Sequence, residues 1–204
     1  MGKDRMDRLA VYLHGQGGSA EEAEHYRPLL RDFDVIGFDY GARAPWDAQR
    51  EFPAFFGPPR ERYRSVTLIG NSLGAYFAMC AGIDRLIDRA LLISPIADMQ
   101  ALILGRMAQA GVTEDRLQNE KTIAVPDAEP LSWEYLRYAK SRPIAWNVPT
   151  EILYGERDFL TPPEVMAAFA GRIGAGLTVM EGGEHWFHTA EQMRFLDRWL
   201  TKSI

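Results

Sequence analysis

Cysteine is nearly absent: the 204 residues include one, Cys80. That excludes an intrachain disulfide and any cysteine metal cluster. Cys80 falls in the apolar stretch Ala75 to Ala81 and reads as a small core residue rather than a nucleophile. Long hydrophobic runs are missing as well, and none approaches the roughly 20 residues that a membrane-spanning helix needs. Met1 to Arg8 alternates charge with methionine and carries no apolar leader core. Positive charge is in deficit, with 23 Lys and Arg against 28 Asp and Glu and a formal net charge of −5. The basic residues are scattered, so no basic field exists to hold a polyanion. These absences argue against a disulfide scaffold, a membrane span and a nucleic-acid binder. They leave a soluble protein, expected in the cytoplasm, with a small molecule as its partner.

What is present is ordinary in amount and ordered in pattern. A hydrophobic share of 47% and a charged share of 25% suit one domain with a single substantial core. Short β-rich runs recur at Leu9–Leu13, Asp34–Phe38, Ser65–Ile69, Ala90–Ile93, Glu151–Tyr154 and Leu177–Met180. Each is almost continuously apolar, as strands covered on both faces are. Helical patterns lie between them at Ala20–Arg31, Leu73–Ala81, Pro163–Arg172 and Thr189–Thr201, the last with Met193, Leu196, Trp199 and Leu200 on one face. This alternation predicts an α/β fold with a mostly parallel sheet flanked by helices. Residues Asp98 to Val148 break the rhythm, being far longer than a usual connection. They read as a helical cap insertion (98–148) within a single domain (1–204), or as a decorated crossover helix. Trp133, Tyr135, Tyr138 and Trp146 in that segment could wall an acyl pocket or form the segment's own core.

The strongest chemical signal is Gly70-Asn71-Ser72-Leu73-Gly74, directly after one predicted strand and directly before a helix. A serine there sits on a tight strand-to-helix turn that lifts its hydroxyl off the sheet edge. The same turn aims backbone N–H groups at that hydroxyl from the start of a helix. A second signal, His14-Gly15-Gln16-Gly17-Gly18, follows the first strand. Such a loop can bring backbone N–H groups close to a ligand. The N–H of Gln16, beside that of Leu73, would then complete an oxyanion hole. The other reading is a phosphate-binding turn, but G-x-x-x-x-G-K-[ST] is absent and G-x-G-x-x-G does not fit.

A serine hydroxyl needs a base, and the chain has four histidines. His14 is read as bracing its glycine loop and His25 as solvated on a surface helix. His185, in Gly182-Gly183-Glu184-His185-Trp186-Phe187-His188, follows the last strand and is preferred to His188, placed at the start of the final helix. Parallel strands deliver their C-terminal ends to one edge, so a histidine there can reach the serine. The acid that orients the imidazole is read as Asp158, just past the fifth strand, with Glu156 and Asp98 as rivals. A metal site using Glu184, His185 and His188 lacks the H-E-x-x-H spacing and an obvious third partner.

Taken together, HGQGG after the first strand, GNSLG, YGERDFLTP and GGEHWF resemble the α/β-hydrolase superfamily, in particular its compact esterase-like and serine-aminopeptidase-like members. The likeness runs nearly end to end. It implies Ser72 as nucleophile, His185 as base, Asp158 as acid, and Gln16 and Leu73 as oxyanion donors, with no metal or organic cofactor. It also implies six parallel strands in the order 2-1-3-4-5-6, although the family often carries two more strands at the N-terminus. The activity expected is hydrolysis of a small or medium acyl ester through an acyl-enzyme. A thioesterase, an amide or peptide hydrolase, and a non-catalytic binding module remain as alternatives on the same fold.

Overall fold

A computed structural model describes residues 6–126 and 128–204, so the reading of Met1 to Arg5 lies outside it. In chain order the strands are β1 (Met6–Leu13), β2 (Asp34–Gly37), β3 (Tyr63–Asn71), β4 (Arg89–Ile93), β5 (Thr122–Val125), β6 (Ala128–Ser132), β7 (Thr150–Gly155) and β8 (Gly176–Met180). The helices are α1 (Pro45–Arg62), α2 (Ser72–Cys80), α3 (Met99–Gln109), α4 (Glu114–Glu120), α5 (Trp133–Ser141), α6 (Pro163–Ile173) and α7 (Ala190–Ser203). The chain divides into two units, Met1–Ala97 with Ala145–Ile204, and Asp98–Ile144.

The first unit holds a six-stranded sheet in the order β2-β1-β3-β4-β7-β8, with every neighbouring pair parallel. This is the strand order that the resemblance implies. The central strands are the apolar runs: Leu9, Val11, Leu68, Leu91 and Ile152 are wholly buried. On one face Tyr12, Ile69, Leu91, Ile93 and Leu153 pack with Leu196, Trp199 and Leu200 of α7. The edge strands β2 and β8 are less covered. Register aligns the C-terminal ends, with Leu13 opposite Gly70, Asn71 opposite Ile93, and Gly155 opposite Met180. The chain leaves β1 toward β2 on one side and returns to β3 on the other, so the strand order reverses at β1.

Two helical readings change. Ala20–Arg31 is a 3-10 helix over Ala20–His25 followed by turns, with a capping box between Ser19 and Glu22. Helix α1 is absent from the sequence-based pattern because it contains Pro53, Pro58 and Pro59. Each interior proline removes a hydrogen bond at a cost of about 3 kcal/mol or more. Packing overrides that cost: Ala48, Phe52 and Phe56 are wholly buried, and Phe38 stacks on Phe55 at 3.7 Å. Cys80 ends α2 half-buried. Among the described residues no helix is long and apolar enough to cross a membrane.

The second unit spans Asp98–Ile144, a shorter stretch than 98–148, and it is not purely helical. Its three helices begin at Asp98, Thr113 and Ser132, whose side chains accept from Ala101, Arg116 and Tyr135 N–H. Between α4 and α5 lies an antiparallel pair, β5 with β6. Pro130 sits in β6, which is tolerated because a two-stranded ribbon consists of edges. The unit buries Ile103, Met107, Leu117, Leu131 and Leu136. Trp133, Tyr135 and Tyr138 are half-buried. Trp146 belongs instead to the first unit, where its indole N–H donates to Thr150 Oγ1 at 2.8 Å.

Candidate active site

Four strands deliver the site residues to one edge of the sheet. His14 follows β1, Ser72 follows β3, Asp158 lies three residues past β7, and His185 lies five past β8. Ser72 adopts φ +49°, a left-handed backbone that costs a non-glycine residue about 1–3 kcal/mol. The strain is held from both sides. The strand fixes Asn71 against Ile93, and α2 starts at Ser72 itself. Gly74 explains the last glycine of the motif: a Cβ there would lie 2.3 Å from His14 O and 2.9 Å from Leu13 O. Only glycine lets α2 lie this close to the end of β1.

Ser72 Oγ lies 2.9 Å from His185 Nε2, and His185 Nδ1 lies 2.7 Å from Asp158 Oδ2. All three residues are buried, Ser72 at 8% exposure and the His185 and Asp158 side chains at 1% and 0%. The second carboxylate oxygen, Asp158 Oδ1, accepts from Leu160 N–H at 2.8 Å and Thr161 N–H at 3.3 Å. Those bonds satisfy an otherwise bare buried charge and point Oδ2 at the imidazole. The loops of Asp158 and His185 also bind each other, since Arg157 N–H donates to Gly183 O and Glu156 N–H to Met180 O. Tyr154 anchors the far end of the Asp158 loop by donating to Thr161 O at 2.6 Å.

The glycine loop lies against the elbow. A Cβ on Gly15 would come within 3.3 Å of Ser72 Cβ. His14 braces this loop, as the sequence suggests: its Nδ1 lies 2.8 Å from Gly15 O and its ring stacks on Tyr40 at 4.3 Å. Tyr40 donates to His14 O at 2.7 Å, and burial above all pushes its phenol well above the usual range, so it stays a donor. Gln16 follows on the exposed side of the loop, and Leu73 is the second residue of α2. The N–H groups of a helix's first turn have no partner within the helix.

The rivals take other work. Glu156 accepts from Gly182 N–H, and Asp98 caps α3. His188 turns its Nδ1 to Trp186 O at 2.7 Å and lies just before α7 rather than in it. His25 is not merely solvated, because its Nε2 lies 2.8 Å from Asp197 Oδ1 of α7. Among the described residues no group of three or more His, Cys, Asp or Glu side chains is arranged to hold a metal ion.

No family model matches the sequence, and no curated protein matches it either. Solved structures do match in three dimensions. Est1E from Butyrivibrio proteoclasticus, with ferulic acid bound, superposes with a TM-score of 0.75 at 18% identity, covering 96% of this chain and 89% of that one. Mouse alpha/beta hydrolase domain-containing protein 10 gives 0.71 at 16% identity, over 99% and 90% of the two chains. A monoacylglycerol lipase from Paleococcus ferrophilus gives 0.61 at 19%, over 96% and 95%. The chain has the α/β-hydrolase fold. Two side chains at the edge of this α/β-hydrolase sheet received no role from the sequence. Phe159 and Trp186 each directly follow a member of the hydrogen-bonded chain and are largely exposed. A large apolar residue next to each polar one was the available signal.

Proposed function

We propose that the protein is a serine hydrolase that cleaves small or medium acyl esters, with Ser72 as nucleophile, His185 as base and Asp158 as its orienting acid. The observation that carries this reading is the continuous buried path from Ser72 Oγ through His185 to Asp158 at 2.9 and 2.7 Å. The esterase and lipase names among proteins of similar fold add support for ester substrates. Ferulic acid on one of them supports an acyl group of that modest size.

In the first step His185 Nε2 takes the Ser72 proton as Oγ bonds to the substrate carbonyl carbon. The carbonyl oxygen becomes an oxyanion and accepts hydrogen bonds from the N–H groups of Gln16 and Leu73. Each such donor is worth about 2.7–4 kcal/mol of barrier. The tetrahedral centre then collapses, its bond to the alcohol oxygen breaks, and His185 returns the proton to the departing alcohol. Water attacks the acyl-serine in the same way, and the acid leaves while Ser72 regains its proton. Asp158 holds Nδ1–H throughout and stabilises the imidazolium that forms twice per turnover. A thioester follows the same path with a thiol as leaving group.

The test is intact mass after incubation with a fluorophosphonate, for wild type and Ser72→Ala. A single adduct on wild type alone is the expected result, together with a loss of kcat on p-nitrophenyl acetate of about a millionfold in the variant. Adduct formation on both proteins, or on neither while both are folded, overturns the assignment.

A further inference from the structure

Phe159 and Trp186 are exposed at 67% and 63%, more than any other large apolar side chain among the described residues. Scattered exposed apolar residues are common, but these two touch each other and the imidazole. Their rings meet edge to face with centroids 5.5 Å apart and planes at 74°. Phe159 lies 5.9 Å from the His185 ring and Trp186 lies 6.3 Å from it. The result is a cluster of three rings in which the inner one, His185, is buried and the outer two keep open faces. Hydrogen bonds tie the loops that carry them. The Asp158 carboxylate caps the turn that carries Phe159, and the adjoining loops are tied through Arg157 and Gly183.

The chemistry assigns a direction to this surface. The leaving oxygen must come within hydrogen-bond reach of His185 Nε2 to receive its proton. The group borne by that oxygen is thereby brought next to the imidazole, whose ring Phe159 and Trp186 flank. The acyl carbon is fixed at Ser72 Oγ and its oxygen at the N–H donors, so the acyl chain leaves the reaction centre by another direction. Two aromatic faces set at a steep angle accept a flat ring by stacking on one and meeting the other edge-on.

We propose that Phe159 and Trp186 form the leaving-group subsite, and that the favoured substrates are esters whose alcohol carries an aromatic ring. This rests on the serine-hydrolase reading above and narrows it.

The test uses benzyl acetate and ethyl acetate, which pass through the same acetyl-serine and differ only in the leaving alcohol. Wild type should show a kcat/KM ratio, benzyl over ethyl, of about tenfold or more, the scale of discrimination that one apolar subsite supports. Phe159→Ala and Trp186→Ala should each collapse that ratio toward one, and Trp186→Phe should restore most of it. The ratio of ethyl phenylacetate to ethyl acetate, which varies only the acyl side, should move less than about twofold in the same variants. Thermal melts of the variants confirm that both exposed positions tolerate the change. A benzyl-to-ethyl ratio that survives both alanine variants overturns the proposal, as does a shift confined to the acyl-side ratio. Trp186-dependent sedimentation with phosphatidylcholine vesicles alongside an unchanged ester ratio overturns it in favour of lipid docking. Fluorophosphonate labelling separates the two levels: a labelled Ser72 with an unaltered ratio sinks the subsite alone, and an unlabelled folded wild type sinks both.

Discussion

Ser72 and its hydrogen-bonded partners are held by different means. Ser72 sits on strained backbone clamped between a strand and a helix, with Gly74 pressed against the carbonyls of His14 and Leu13. The loops of Asp158 and His185 contain no strained non-glycine residue among the described positions. They are 27 residues apart in the chain and hold each other through hydrogen bonds across Arg157, Gly183, Glu156 and Met180. A rigid elbow thus faces a laced pair of loops. The first should fail abruptly when its packing is touched, and the second gradually as single bonds are removed.

The sharpest break removes the charge from the laced side. Asp158→Asn keeps shape and most hydrogen bonds but favours the wrong imidazole tautomer, and kcat on p-nitrophenyl acetate should fall about 10⁴-fold. A melt close to wild type would show that the loss is chemical. Retention of more than about a tenth of wild-type kcat would remove Asp158 from its role.

Next in size is the elbow. Gly74→Ala places a methyl group 2.3 Å from His14 O, so α2 must shift. A displacement near 1 Å in a site of this kind costs about hundredfold in rate, and kcat should drop by that order with a lowered Tm. An unchanged rate would mean that the clamp is softer than its geometry implies.

These same differences decided what could be read in advance. The elbow was legible because its signature is local: two glycines and a serine at fixed spacing between a strand and a helix. The six strands were legible because central parallel strands are apolar on both faces, and their order followed from the resemblance. Asp158 and His185 were reached only by position along the chain, because Glu156 and His188 lie on the same loops and bear the same chemical groups. Cross-loop bonds such as Arg157 N–H to Gly183 O separate them, and no sequence pattern carries those. Helix α1 was hidden by its prolines, whose local cost is outweighed by the buried faces of Phe52 and Phe56. The β5–β6 ribbon was hidden because a short, mostly exposed strand with a proline has no period to detect.

A smaller effect tests the lacing directly. Glu156→Ala removes the acceptor for Gly182 N–H at the root of the histidine loop. With the other cross-loop bonds intact, kcat should fall by less than about tenfold, because a single exposed bond contributes little. A loss as large as that of Asp158→Asn would make Glu156 the acid and reverse the present assignment.

The smallest effect concerns the anchor below the Asp158 loop. Tyr154→Phe deletes the bond from a fully buried hydroxyl to Thr161 O, which should cost about 1 kcal/mol of stability and leave kcat within about twofold. Its pH dependence has a definite sign. Burial, helped by the nearby Asp158 charge, pushes the Tyr154 phenol from 10.0 up to about 12 in the folded protein. Between those values the unfolded chain has released this proton and the folded chain has kept it, so stability falls as pH rises through that window. Below pH 10 the contribution is constant. Tyr12, Tyr26 and Tyr40 are raised further by the same cause, so they steepen the decline and extend it beyond the Tyr154 window. Denaturant melts at pH 8 and pH 11 should therefore show wild type losing stability between the two and Tyr154→Phe losing measurably less of it. Equal losses in both proteins would mean that the phenol ionises in the folded state as it does in water and that its bond to Thr161 O does not hold its proton.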